Sequence, residues 1–257
     1  MSSEDILTLP PPPADVRLSY GTDPNQFGEL RLPKTKTPIP VAMNIHGGFW
    51  RAKYDLAHAG HLCAALTKKG IATWNIEYRR AGNPGGGWPG TFEDILSAYR
   101  FLTQIAKRYN LDTQKTLVIG HSAGGQLALC LVAHDNSVKR AVSLAGMVDL
   151  QQAWKLHLSN DAVVEFLGGN PDEVPEHYRE ADPTQLSIKS AAQWLIHGSS
   201  DDVVPVDFSR SYVDKKKKRR EDVHLLEIPQ AGHFDLIDPN SSAWPKVEQL
   251  IQQSLAL

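Results

Sequence analysis

Gly120-His121-Ser122-Ala123-Gly124 places a hydroxyl nucleophile between two glycines, with the apolar run 116–119 before it and a helical stretch, 126–133, after it. At a sharp strand-to-helix turn the backbone is strained and a Cβ on either side crowds neighbouring elements, so this spacing reads as a nucleophile elbow. The helix that follows offers Ser122 unpaired N–H groups and the positive end of its dipole, which favour developing negative charge. A serine hydroxyl at its ordinary pKa is a weak nucleophile, so the motif calls for a base and for a group that orients the base. His233, in the loop that follows the strand-like run 223–228, is the candidate base. Asp201, in His197-Gly198-Ser199-Ser200-Asp201-Asp202 after the run 193–196, is the candidate acid, with Asp202 beside it and Asp207 further off as alternatives. His197 reads as a strand-end packing residue and His224 as a residue within a strand. The chemistry is acyl transfer: Ser122 attacks an acyl carbon, His233 takes its proton and passes it to the leaving group, and Asp201 holds the imidazole tautomer. A base of this type makes activity fall as the pH drops through about 6 to 7.

Acyl transfer also needs donors for the carbonyl oxygen as it becomes an oxyanion. His46-Gly47-Gly48-Phe49-Trp50 follows the strand-like run 40–45, and its glycines let backbone N–H groups approach a substrate. The N–H groups near Gly48 and Phe49, with that of Ala123, are the candidate oxyanion donors. Trp50, Trp88 and His121 are candidates for the substrate pocket, the two indoles reading equally as core residues, and His46 and His121 read as residues that order their loops. No His, Cys, Asp or Glu cluster has metal-ligand spacing, and the glycine-rich loop 82–90 lacks a phosphate-binding pattern. Neither a metal nor a cofactor is expected.

The elements that must position these groups alternate. Strand-like runs at 28–32, 40–45, 71–78, 116–119, 140–144, 193–196 and 223–228 are interleaved with helical stretches at 57–69, 91–109 and 126–133 and one starting near Val206. This alternation predicts an α/β fold, a mostly parallel twisted sheet with helices on both faces. In such a sheet the C-terminal strand ends share one edge, where Ser122, Asp201 and His233 can converge. Thr91 with Asp94 resembles a capping box, and loop 82–90 reads as a flexible rim of the site. Residues 1–14, with four consecutive prolines at 10–13, read as an extended arm, and 147–189 as a short helical insertion able to roof the site. All 257 residues are expected to form one domain.

A formal net charge of −2 removes any general electrostatic case for nucleic acid or an anionic membrane, and leaves a small ester or amide as the expected partner of a monomer or homodimer. The basic run 215–220 reads as the solvated last turn of a helix. Cys63 and Cys130 lie in helical stretches among Leu and Ala and read as buried apolar side chains, consistent with a reducing compartment. With no signal-peptide pattern at the start and no apolar stretch of about 18 residues, a cytoplasmic location is expected.

Taken together, the elbow at 120–124, the His46-Gly47-Gly48 loop, Asp201 and His233 resemble the α/β-hydrolase superfamily in the chain order Ser, Asp, His. The resemblance covers nearly all of the chain beyond the arm. It favours Asp201 over Asp202, because the family's acid stands four residues past the histidine of His-Gly. The Gly-Gly-aromatic-Trp loop together with Gly-His-Ser-Ala-Gly-Gly is similar to small esterases and the kynurenine formamidase branch. Hormone-sensitive-lipase-like esterases carry a third glycine where this chain has Phe49 and an acidic residue where it has His121. Prolyl-oligopeptidase-type peptidases carry Tyr in place of Ala123, and dienelactone hydrolases Cys in place of Ser122. The resemblance implies a serine esterase, with an arylformamidase as the alternative within the family. A small-molecule receptor on the same fold, its serine vestigial, is the alternative of another class.

Overall fold

In the computed structural model, which describes residues 3–35 and 37–256, eight strands form one sheet in the order β1-β2-β4-β3-β5-β6-β7-β8. The strands are β1 (Val16–Ser19), β2 (Phe27–Arg31), β3 (Ile39–Ile45), β4 (Ala72–Ile76), β5 (Leu111–His121), β6 (Arg140–Leu144), β7 (Ala192–Gly198) and β8 (Val223–Ile228). Only β1 and β2 run antiparallel to their neighbours. The helices are α1 (Gly60–Lys68), α2 (Gly90–Ile105), α3 (Ala123–His134), α4 (Leu150–Lys155), α5 (Ala162–Leu167), α6 (Pro175–Ala181), α7 (Asp207–Lys218) and α8 (Trp244–Ala256). This is the expected α/β architecture, with β1 and α8 in addition to the elements read from the sequence.

The parallel strands are buried on both faces, so each sends alternate side chains into one of two cores. Val41, Met43 and Ile45 of β3 and Val118 of β5 join one core with Trp74, Leu127 and Leu131. Ala42 of β3 and Leu117 and Ile119 of β5 point to the other, with Leu62, Leu66, Trp244 and Ile251. Cys130 lies in the first core and Cys63 in the second, both free and buried. The register aligns the strand ends that carry the site: Ile45 pairs with Gly120, His121 with Leu144 and Gly198 with Ile228. No helix among the described residues is long and apolar enough to cross a membrane.

Several local expectations change. Thr91 does not cap α2: its hydroxyl donates to the Arg79 carbonyl, and Asp94 is taken by an ion pair with Arg79 and a hydrogen bond from Gln26. The helical stretch 57–69 is a 3-10 turn, Leu56–Ala59, followed by α1. Loop 82–90 is tightly packed, since a Cβ at Gly86 or Gly90 would run into the carbonyl of Arg80 or Gly85. The arm is extended only in part, because Ser3–Leu7 form a 3-10 turn that buries Ile6 in the second core. Nor is the basic run uniformly solvated. The Lys216 side chain is fully buried, its ammonium donating to the Leu186 carbonyl at 2.5 Å and lying 3.4 Å from Glu221.

Candidate active site

Ser122 follows directly on β5 and precedes α3, with φ 55° and ψ −118°. A non-glycine residue in this region stores roughly 1–3 kcal/mol of strain, which the surrounding structure has to impose. It does so through backbone bonds on both sides: the Ser122 N–H donates to the Leu144 carbonyl at 2.8 Å, and the Met147 N–H donates to the Ser122 carbonyl at 3.2 Å. The flanking glycines are needed for space. A Cβ at Gly120 would strike the Gly124 carbonyl, and one at Gly124 the Ile45 carbonyl.

Asp201 and His233, from the loops after β7 and β8, meet at 2.8 Å between Oδ2 and Nδ1. With Nδ1–H given to the carboxylate, Nε2 carries the lone pair of the ring. The other carboxylate oxygen accepts the N–H groups of Val203 and Val204, at 2.9 and 2.8 Å. Burial raises the Asp201 carboxyl, but hydrogen bonds from His197 and His233, the charge of His233 and the Val204 N–H outweigh it and hold the group well below the usual carboxylate range. Asp202 and Asp207 are exposed, and Asp207 pairs with Arg210; His224 is exposed beside Asp222. His197 is more than a packing residue: its Nε2 lies 3.2 Å from Asp201 Oδ2 and 2.9 Å from the Val204 carbonyl, and its Nδ1 lies 2.7 Å from Ser209 Oγ.

Ser122 and His233 line one cleft with Leu7, Gly48, Phe49, Tyr54, His58, His121, Val203 and Phe234. Among the described residues, no Asp, Glu, Lys or Arg lines it. Burial, reinforced by the charge of His46, pushes His58 down to about 3, and burial with neighbouring His233 and His58 puts His121 well below the ordinary histidine value. Both rings are therefore neutral near pH 7. His121 Nε2 donates to the His233 carbonyl at 3.1 Å, which leaves its buried Nδ1 without a partner and ties the elbow to the histidine loop.

Gly48 and Phe49 lie at φ +113° and +52°, and no backbone bond outside helices and strands uses their N–H groups among the described residues. Ala123 is the first residue of α3, where an N–H has no intrahelical acceptor. Trp50 and Trp88 do not line the cleft. Trp50 is buried, stacked on Phe166 at 4.6 Å, and its indole N–H donates to Gln126; Trp88 stacks on Phe92 at 5.2 Å. Their large apolar rings are taken up by the first core. Among the described residues, none that lines the cleft comes from 147–189, which is clamped to the loop after β3 by a two-pronged ion pair between Arg51 and Glu165. Sequence reading missed Leu7, Tyr54, His58, Val203 and Phe234. Val203 and Phe234 adjoin named site residues, whereas Leu7 and His58 carry no local signal. Among the described residues no three His, Cys, Asp or Glu side chains are grouped to hold a metal ion.

Residues 29–215, well over half of the chain, match the model of the BD-FAE family, a span that holds the elbow, the Gly48 loop and Asp201. The chain belongs to the BD-FAE family. This BD-FAE chain is 31% identical over 248 residues to esterase LipC of Mycobacterium tuberculosis, covering 86% of this chain and 60% of LipC. It is 22% identical over 235 residues to kynurenine formamidase of Drosophila melanogaster, covering 86% of this chain and 75% of that protein. A truncated carbohydrate esterase from gut microbiota superposes with a TM-score of 0.82 at 20% identity, covering 97% of this chain and all of that one. The fold is that of the α/β-hydrolases. The BD-FAE chain spans less than two thirds of the length of LipC.

Proposed function

We propose that the protein is a serine hydrolase that cleaves a small carboxylic ester through an acyl-enzyme. The observation that carries this reading is the Asp201–His233 hydrogen bond beside a strained Ser122 at the same cleft. His233 Nε2 takes the Ser122 proton as Oγ attacks the acyl carbon, and Asp201 stabilises the imidazolium that forms. The N–H groups of Gly48, Phe49 and Ala123 receive the oxyanion, and each donor of this kind contributes about 100-fold or more in rate. The tetrahedral adduct collapses, the alcohol leaves with the proton from His233, and water, activated by the same histidine, releases the acid. A cleft lined by the apolar side chains of Leu7, Phe49, Val203 and Phe234, with no charged side chain among its described lining residues, favours an apolar acyl or leaving group.

A second reading, cleavage of an aryl formamide, draws on the kynurenine formamidase relative, since the same machinery attacks a formyl carbon. The test is a comparison of kcat/KM for p-nitrophenyl acetate and N-formylkynurenine, with Ser122→Ala as the blank. The ester reading expects ester turnover with negligible formamide cleavage. A formamide rate about 100-fold above the ester rate selects the second reading. Absence of both activities, with no labelling of Ser122 by a fluorophosphonate, sinks the hydrolase reading in favour of a receptor.

A further inference from the structure

Glu77, just past β4, is a buried carboxylate that reaches towards the loop after β3. Its Oε1 lies 3.0 Å from His46 Nε2 and 2.9 Å from the Arg80 guanidinium and accepts the Tyr78 N–H, while its Oε2 accepts the Leu56 N–H. Every one of these partners donates, so the carboxylate is the form that fits. Burial alone raises the Glu77 carboxyl, but the charge of His46 and its hydrogen bond, then Arg80 and the Tyr78 N–H, bring it below the ordinary value.

The other ring nitrogen of His46 meets an acceptor as well, with Nδ1 2.7 Å from the Gly47 carbonyl. The ring thus faces an acceptor at each nitrogen, the carboxylate at Nε2 and the carbonyl at Nδ1. The Gly47 carbonyl and the Gly48 N–H are the two ends of one planar trans peptide. A hydrogen bond that fixes the carbonyl therefore fixes the opposite direction in which the Gly48 N–H points, and a donor backed by a carboxylate polarises the peptide and strengthens that N–H. His46 cannot swing away, since it stacks on Tyr78 at 4.4 Å and its own carbonyl accepts the Tyr78 hydroxyl at 2.8 Å.

We propose that Glu77 is a positioning residue that acts through His46 to aim the Gly48 N–H at the oxyanion. The relay is Glu77 carboxylate, His46 ring, Gly47 carbonyl, Gly48 N–H, and it rests on the reading of Gly48 as an oxyanion donor. A residue of this kind acts on the transition state more than on the bound ester, so its loss appears in kcat and in the affinity of a tetrahedral anion.

The test measures kcat and KM for p-nitrophenyl acetate, and inhibition by butylboronic acid, whose adduct with Ser122 is a tetrahedral anion. His46→Ala is expected to lower kcat about 100-fold with KM changed by less than about 3-fold, and to weaken boronate binding by a similar factor. Glu77→Gln, which keeps the shape and loses the charge, is expected to lower kcat by about 10-fold at similar KM. His46→Asn, whose amide nitrogen can replace Nδ1 as the donor to Gly47, is expected to restore about 10-fold over His46→Ala. If His46→Ala does not fold, the Asn and Gln variants carry the comparison. Unchanged kcat in Glu77→Gln, or a loss confined to KM, overturns the proposal. So does His46→Asn no better than His46→Ala where both fold. Fluorophosphonate labelling of the wild type and variants separates this from failure of the hydrolase reading: labelled, active variants with unchanged kcat overturn the relay alone, whereas an unlabelled, inactive wild type removes both.

Discussion

One carboxylate oxygen of Asp201 serves His197 as well as His233: Oδ2 lies 3.2 Å from His197 Nε2, and both side chains are fully buried. The arrangement separates two roles on one residue. Asp201→Asn presents an amide to His233 and disturbs the tautomer that leaves Nε2 as the base, so kcat for an ester is expected to fall about 10³–10⁴-fold with folding retained. His197→Leu leaves the Val204 carbonyl and Ser209 hydroxyl short of a partner, so it is expected to cost about 1–3 kcal/mol in urea unfolding with a kcat loss below about 10-fold. Equal kcat losses in the two variants contradict this division.

The strain at Ser122 predicts a stability effect opposed to activity. Ser122→Gly removes the Cβ that makes φ 55°, ψ −118° unfavourable. It is expected to be as inactive as Ser122→Ala, yet more stable than the Ala variant by roughly 1 kcal/mol. Thermal unfolding of the two inactive variants measures the difference, and a less stable Gly variant refutes it.

Leu7 sets one wall of the cleft from a 3-10 turn anchored by buried Ile6, by the bond between the Leu9 carbonyl and His61, and by that between the Pro12 carbonyl and Arg31. Leu7→Ala is expected to shift the preferred p-nitrophenyl ester to longer acyl chains, and Leu7→Trp to shorten it, each by a change of about 10-fold in the ratio of butyrate to acetate kcat/KM. A ratio unmoved by both substitutions places this wall away from the acyl group.

Asp182 makes stability depend on pH. Its carboxylate accepts the Leu150 N–H and the Thr184 N–H and hydroxyl, but burial and the nearby Asp149 charge raise its pKa to about 6. The folded protein thus holds this proton more tightly than the unfolded chain does, and the associated stability, full below about pH 4, is lost as the pH rises through about 6. Relative to Asp182→Asn, the wild type is expected to lose on the order of 2–3 kcal/mol between pH 4 and 7. Urea titrations across that range provide the check, and a constant difference contradicts it.

Much of this site was legible because its residues sit in short, local patterns. Gly120 and Gly124 are required by contacts within the elbow and with the adjacent strand end, so their spacing alone marked Ser122. Strand runs ahead of Asp201 and His233 placed both on the C-terminal edge of a parallel sheet. Trp50 and Trp88 stay open between pocket and core in the sequence because an indole serves either equally well, and Phe166, 116 and 78 residues away in sequence, decides for the core. The capping box failed because Asp94 had a stronger partner in Arg79.

The sequence by itself determined the fold class, the elbow and the strand ends that carry its partners, since each follows from glycine sterics or from hydrophobic runs of strand length, while the choice of Asp201 over Asp202 rested on the family resemblance. Tertiary structure alone decided which groups share that edge: Leu7 and Phe234 at one cleft, His197 on Asp201, and Glu77 behind His46. Two of these pairings join segments well separated in the chain, the third spans four residues at the end of β7, and burial rather than a sequence motif selects them. A buried carboxylate or imidazole must find its partners wherever the packed sheet brings them within hydrogen-bond reach.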